Sequence, residues 1–557
     1  MRALGGPAEL LFALLLASSC PATASRAAES ASASTGSGIP ARPDSIVLFH
    51  TNDTHSQLEP VAHGRGEPRG GMAARAALLS RERAGVSASL TLDAGDVFEG
   101  TAYYNFFRGV PDYRAMSLIG YDAGEVGNHE LAHGPGAWLR ARREARFPLL
   151  CANLFVPGDS AWAAGLPEAP PSLRRGARWI GGARVADEVP LRLLAEPSIL
   201  RTVAGRRIAI LGLITGETVT IVGPAARVAV GDPFAVAAAL VPGLRREADV
   251  VIVLSHLGLD DDRRLAARVP GIDVIVGGHS HTLLEKPLLV LQRENPNGYH
   301  GTAIVQAGSK GEWLGRAVLE FDGPVLRRVS GRVIPVLPSE GEDSAAARLL
   351  APFTDSVRTA TAERIIRLPE RVGAEGLRDA DTPLGDFVAD VLREAAGADL
   401  AIQNVGGIRA GLPRGDVTVG DLYAALPFDN RIVTVRMEGW RVRQLLDFIA
   451  RRMGSNGFAQ VSGVRFAARG GRAAEIMVGR EPLDGNHTYR VATIDFLYQG
   501  GDGYTQFQKA GPAEDTGRDQ RQAAIDFLRR HPDYVFRKDG RIRWQPSTEA
   551  LRDLRMR

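Results

Sequence analysis

Five short stretches of this chain carry side chains that together could hold cations. The first is Asp53-Thr54-His55, an acid and an imidazole two apart, a mixed oxygen–nitrogen pair suited to zinc, manganese or iron. The second is Asp93-Ala94-Gly95-Asp96, in which Asp96 can offer one carboxylate oxygen to each of two cations. Gly127-Asn128-His129-Glu130 adds a neutral carbonyl ligand, useful where a cation must keep room for substrate. Ser255-His256-Leu257-Gly258 and Gly277-Gly278-His279-Ser280-His281 bring three more imidazoles, the latter beside glycines that allow close backbone approach. Each stretch also has a plain structural reading. Asp96 could cap a helix, Asn128 could sit in a turn, and a lone strand-end histidine is usually satisfied by a hydrogen bond. That reading has to hold at five places at once, so a metal centre is the better account.

The elements that must position these groups are short apolar runs. Val47-Leu48-Phe49 precedes the first stretch, Leu90-Thr91-Leu92 the second, Val250 to Leu254 the fourth and Val274-Ile275-Val276 the fifth. Further runs stand at Ile208 to Leu211 and Ala303 to Val305, and helical patterns separate them. Such alternation predicts βαβ units from Ile46 to about residue 335, with buried strands ending in polar loops. In α/β sheets ligands bind beyond the carboxyl ends of the strands, where these candidates fall.

Composition sets the outer limits. With 557 residues, 45% apolar and 24% charged, the chain is an ordinary globular one with room for several domains. The positive charge is almost all arginine, since Lys286, Lys310, Lys509 and Lys538 are the only lysines. No basic stripe interleaved with aromatics accompanies it, so a nucleic-acid polymer is not an expected partner. Residues 1–24 combine Arg2, an apolar run from Leu10 to Ala17 and the small residues Ala22-Thr23-Ala24, the pattern of an export signal. Periplasmic or extracellular location follows, and Cys20 offers lipid attachment as a second outcome. No other run is long and apolar enough to cross a bilayer. Cys151 follows Pro148-Leu149-Leu150 and reads as a small buried hydrophobe.

Organisation along the chain follows from the same patterns. Residues 25–43 read as a flexible Ala/Ser/Gly/Pro tether, 44–335 as the cation-binding α/β unit, and 336–364 as a linker with a helical pattern. Residues 365–545 form a smaller second unit of α/β or α+β type, and 546–557 a polar tail. The second unit has a cluster of its own in Asn404-Val405-Gly406-Gly407-Ile408-Arg409, Pro427-Phe428-Asp429 and Phe496 to Tyr504. Phe428 and Phe496 could stack on a base, Asp502 could accept from ribose hydroxyls, and the planar fork of Arg409 suits phosphate. Singly, a Phe is mostly core, Gly-Gly-Asp-Gly a turn and an Arg a solvated cation.

The order Asp-x-His, Gly-Asp, Gly-Asn-His-Glu, His, Gly-His-x-His resembles the calcineurin-like metallophosphoesterases. The second-unit segments narrow this to the 5′-nucleotidase branch, a resemblance that covers roughly Ile46 to Phe507. It implies a four-layer metallophosphoesterase α/β sandwich followed by the smaller substrate-binding domain. It implies two divalent cations (zinc, manganese, iron or cobalt), one on Asp53, His55, Asp96 and His281, the other on Asp96, Asn128, His256 and His279. It implies a catalytic His129 facing the substrate, and Arg378, Asn404, Arg409, Phe428, Phe496 and Asp502 as substrate-binding residues. Phosphate release from nucleoside 5′-monophosphates by attack of a metal-bound hydroxide is the implied reaction. The same fold also serves hydrolysis of nucleotide sugars and cyclic nucleotides, thiosulfohydrolysis and, with activity lost, plain nucleotide or metal binding. One departure stands out. Members of the branch commonly place an Asp three residues after the catalytic histidine, and here that position is Ala132. Its loss predicts a less basic, less firmly oriented His129 and slower turnover, with Glu130 and His133 as candidate substitutes.

Overall fold

Continuous apolar runs that alternate with amphipathic helices leave few ways to satisfy the backbone other than sheets covered on both faces. In the computed structural model, residues 45–545 are described apart from 64–65, 175, 180–184, 187–188, 217, 219–226 and 293–300. The expected export signal, tether, Cys20 and tail lie outside the described residues. Two six-stranded sheets form the first unit. One runs in the order Val325–Pro335, Trp313–Asp322, Ser45–Thr51, Ser89–Asp93, Ala123–Glu125, Leu149–Leu150. The other runs Ser198–Val203, Arg206–Ile214, Val250–His256, Val274–Gly277, Gly301–Val305, Leu288–Leu291. Strands 45–51, 89–93, 123–125 and 149–150 of the first sheet are parallel to one another, as are 206–214, 250–256, 274–277 and 301–305 of the second, and their carboxyl ends open on a common edge.

The two sheets bury one core between them, in which Leu48, Leu92, Ile210, Ile252, Leu254 and Val276 meet. Val250 to Leu254 are all fully buried, as an uninterrupted run covered on both faces must be. Helices cover the outer faces. Met72–Ala84 and Val110–Ile119 lie on one side, Pro233–Glu247 and Leu259–Arg268 on the other. The result is the expected four-layer α/β sandwich.

The helical pattern expected in the linker forms Ser344–Thr361. Asp343 caps it by accepting from the Ala346 amide. Leu350, Phe353 and Val357 share one face and are buried in the first unit's core, beside Met116 and Leu131. This helix is therefore packed as part of the first unit.

The second unit is mixed. Its five-stranded sheet runs Ala459–Ser462, Leu400–Asn404, Thr488–Ile494, Arg431–Glu438, Glu514–Asp519. Only the pairing of 400–404 with 488–494 is parallel in that sheet. Pro383–Ala396, Gly439–Arg451 and Gln520–Arg530 pack against it and close a separate core. The first of these helices starts on Thr382, whose side chain accepts from the Gly385 amide, and stops at left-handed Gly397. Phe106 of the first unit meets Tyr423 of the second with ring centroids 5.7 Å apart, so the units touch beside the cluster described next. Among the described residues no helix is long and apolar enough to cross a membrane.

Candidate active site

Loops that leave the carboxyl ends of both sheets interlock at the open edge. Asp53 and His55 donate their amides to the Gly95 and Asp96 carbonyls at 2.9 and 3.0 Å. The Glu130 carboxylate accepts from the amides of Asp96, Val97 and Phe98, which pins the second loop under the third. The His279 amide donates to the Asp53 carboxylate, which ties the second sheet to the first. Five of the seven expected cation ligands (Asp53, His55, Asp96, His279 and His281) hold a positive φ between 50° and 71°. Left-handed backbone at a side-chain-bearing residue costs about 1–3 kcal/mol and persists only where the surroundings enforce it.

The seven side chains converge as two groups that share an edge. Ligand atoms of Asp53, His55 and His281 lie within 4.8 Å of one another, as do those of Asp96, His256 and His279. His279 Nδ1 and the Asn128 side-chain oxygen are 3.0 Å apart, which brings Asn128 to the second group. His55 Nε2 and His281 Nε2 face each other at 3.1 Å. His256 Nε2 is buried without a hydrogen-bond partner, 3.1 Å from Asp96 Oδ2.

The tautomers fit cation binding. His55 Nδ1 donates to the Glu99 carbonyl at 2.8 Å and His256 Nδ1 to the Ala94 carbonyl at 2.7 Å. Each bond leaves the Nε2 lone pair aimed inward, the usual way in which a protein orients an imidazole for a metal. Burial drives His55 down to about 3, so its ring is neutral and ready to coordinate. For His256, burial pulls down but the Asp96 charge wins and lifts it to about 10. Cation binding there must displace a proton. Carboxylates, imidazoles and one amide oxygen suit a borderline divalent ion, so the donor set fits the expected metals.

His129 stands at the edge of this centre, with Nε2 3.8 Å from Asp96 Oδ2, and its ring also comes within 4.8 Å of the ligand atoms of His55 and Asp96. The part of the Ala132 expectation that concerns the ring, loose orientation and low basicity, is overturned. His129 Nδ1 donates to Glu99 Oε2 at 2.6 Å, so a carboxylate is present after all, delivered by the second loop. Burial lowers the His129 pKa, but Asp96 and Glu99 together raise it to about 9. The ring is neither weakly basic nor loosely held. Glu130 and His133 do not substitute: Glu130 anchors amides, and His133 bonds Tyr104 and Asp429. The signal that could have found Glu99 was an acid three residues past a ligand in Asp96-Val97-Phe98-Glu99.

Of the second-unit residues, Phe428 and Arg409 come nearest His129. Asn404 donates to Asp502 at 2.7 Å, and Phe496 lies over Gly501. Arg409 approaches the Gly406 carbonyl at 3.5 Å and sits 5.9 Å from the Phe428 ring centroid. Phe428 in turn stacks on His129, 6.0 Å between centroids and 25° between planes. Burial lowers the Arg409 pKa, the Glu99 charge opposes this, and the like charge of exposed Arg378 adds to the lowering. Sequence reasoning did not single out Asp429. It accepts from Asn105, Arg108 and His133 of the first unit and from Arg521 of its own.

Comparison with known proteins gives the same picture. Residues 46–283 match the calcineurin-like phosphoesterase family, and residues 358–509 match the 5′-nucleotidase C-terminal domain. The chain is 33% identical to the crystal structure of a 5′-nucleotidase precursor from Thermus thermophilus, covering 90% of this chain and 99% of that one with a TM-score of 0.76. A 5′-nucleotidase of Vibrio cholerae is 28% identical over 87% of this chain and 90% of its own length. The trifunctional nucleotide phosphoesterase protein YfkN of Bacillus subtilis is 30% identical over 89% of this chain, which spans only 35% of that protein. With both domains and their order accounted for, the chain belongs to the 5′-nucleotidase family of metal-dependent phosphoester hydrolases.

Proposed function

We propose that this hydrolase releases phosphate from nucleoside 5′-monophosphates, with one divalent cation on Asp53, His55, Asp96 and His281 and a second on Asp96, Asn128, His256 and His279. The observation that carries this reading is the meeting of Phe428, with Arg409 beside it, and His129 next to the cation loops, with Asn404 and Asp502 paired in the same unit. Cations there supply Lewis-acid polarisation of the phosphoryl oxygens and a water of lowered pKa. Phe428 and Phe496 stack on the base, at about 1–3 kcal/mol per stacked base. Asn404 and Asp502 bond the ribose hydroxyls, and Arg409, with Arg378 at its rim, neutralises phosphate oxygens. Glu99, bonded to His129 Nδ1, favours the protonated ring. As the bond between phosphorus and the 5′-oxygen breaks, Nε2 passes its proton to that oxygen and the nucleoside departs as a neutral alcohol.

The test uses protein stripped by chelator and reloaded with manganese, zinc or cobalt. Phosphate release is then compared on AMP, UDP-glucose, cyclic AMP and a thiosulfate conjugate. Reloaded protein should turn over AMP fastest, and stripped protein should not. Reloaded protein as inert on AMP as the stripped form sinks the reading. Export rests on the leader-like pattern of residues 1–24 and is checked by sequencing the amino terminus of the mature protein, expected near Ser25.

A further inference from the structure

We infer that Glu99 is the positioning residue of His129, doing from the Asp96 loop what a carboxylate at position 132 does elsewhere in the family. The inference goes beyond the proposed substrate but rests on His129 as proton donor. Glu99 is 6% exposed, and among the described residues no other hydrogen bond or ion pair reaches its carboxylate. It is itself left-handed, φ 62°, three residues after left-handed Asp96. That twist turns the side chain back toward the imidazole instead of into solvent, and its cost needs a reason. The same residue holds His55 through its carbonyl, so one backbone position sets two imidazole rings. Those rings meet edge to face, 5.0 Å apart at 83°, while Phe428 covers His129 on another side. With Nδ1 committed to Glu99 at 2.6 Å, Nε2 can only point toward Asp96 and the space over the cation loops. Ala132 closes the short turn His129–Leu131, its amide donating to the His129 carbonyl. An acid placed there starts from the same turn as the ring it would orient.

The experiment moves the carboxylate. Metal-loaded wild type, Glu99→Ala, Glu99→Gln, Ala132→Asp and the double variant Glu99→Ala/Ala132→Asp are assayed on AMP and on p-nitrophenyl phosphate. Metal content and melting temperature are recorded for each. A misplaced proton donor hurts the poor leaving group, AMP, and spares the good one. Glu99→Ala should lower kcat on AMP about 10–100-fold, the usual cost of removing a group that orients a site imidazole, with KM held within about threefold. The loss on p-nitrophenyl phosphate should stay below about threefold, and the double variant should regain at least about tenfold on AMP. Ala132→Asp alone should gain nothing, because the ring is already held. Equal losses on both substrates, no rescue, or a faster Ala132→Asp enzyme overturns the inference. If Glu99→Ala fails to fold or to keep its metals, Glu99→Gln decides, since it retains an acceptor oxygen in the same shape. A loss confined to AMP then supports the inference, and an equal loss on both overturns it. Should wild type cleave p-nitrophenyl phosphate but not AMP, the nucleotide reading fails separately. Glycerol phosphate then takes the place of AMP as the alkyl ester.

Discussion

Asp429 is a charge through which the second unit is fastened beside His129, and replacing it should open the enzyme. Its Oδ1 accepts from Asn105 at 2.7 Å and from Arg521 at 2.5 Å. Its Oδ2 accepts from Arg108 at 2.7 Å and from His133 at 3.0 Å. Burial raises its pKa, but His133, Arg521 and Arg108 together hold it well below the usual carboxylate range. In Asp429→Asn the Oδ1 bonds survive, while an amide now faces two donors. Arg521 stays satisfied through the Leu426 carbonyl at 2.8 Å, so the second unit itself should fold. Arg108 is 39% exposed and His133 26%, which puts each lost bond at about 1 kcal/mol rather than the larger value of a buried pair. Together they come to about 2 kcal/mol of closure, or roughly a 30-fold shift toward open forms. Distance distributions from donor and acceptor dyes on the two units should broaden to longer separations. KM for AMP should rise about 10-fold, because a substrate that needs both units must also close them. An unchanged distance distribution together with an unchanged KM would falsify the latch.

Three further outcomes follow from the same geometry. Because His256 is lifted to about 10, a cation bound on the Asp96, Asn128, His256 and His279 set should expel a proton, so its affinity rises with pH through the neutral range. Calorimetry in buffers of different ionisation enthalpy reads this directly, and buffer-independent heats would contradict it. In Gly127→Ala the new methyl would collide with the Asp96 amide nitrogen and carboxylate and lie 2.8 Å from Glu130 Oε2. Bound metal measured by mass spectrometry should fall well below that of wild type, and full occupancy would refute the packing argument. Arg245→Met strands the fully buried Asp273 carboxylate, which also accepts from the Val251 amide at 2.8 Å. Removing one partner of such a pair costs about 3–5 kcal/mol, and a urea midpoint equal to wild type would show that water reaches the site.

What was legible in the sequence has a physical reason. Val250 to Leu254 is fully buried on both sides, so nothing polar interrupts the run and a strand is the only sensible reading. His, Asp and Asn at the ends of such runs are conspicuous because a buried strand ends where polarity begins. The contacts that were not legible join residues far apart in the chain. Glu99 and His129 are 30 residues apart, and the donors to Asp429 come from positions 105, 108, 133 and 521. Apart from the spacing of Glu99 after Asp96, no local pattern marks such partners, since each is one polar residue among many until the sheets set the loops side by side. The helix Ser344–Thr361 lies between these cases. Its apolar face was readable from spacing, but the core that receives it was not.

The left-handed residues link the cation loops to the placement of the two acids around them. Asp and His tolerate that conformation better than most side chains, so the residue types that bind cations are also those that make the sharp loops feasible. Such loops would spring back if left alone. They are instead laced by amide bonds between the first and second stretches, by the Glu130 carboxylate beneath and by Lys310, whose amide donates to the Asp53 carbonyl at 2.7 Å. Two neighbouring acids thereby divide the work that a reading of Gly-Asn-His-Glu alone would assign to one. Glu130, next in sequence to His129, holds the backbone on which the ligands sit. Glu99, distant in sequence, holds the ring. Swapping their roles would demand that Glu130 abandon three amides with no other acceptor for them, and leaving three buried amides unpaired costs about 1–3 kcal/mol each. That penalty keeps Glu130 on its amides and leaves the imidazole to Glu99.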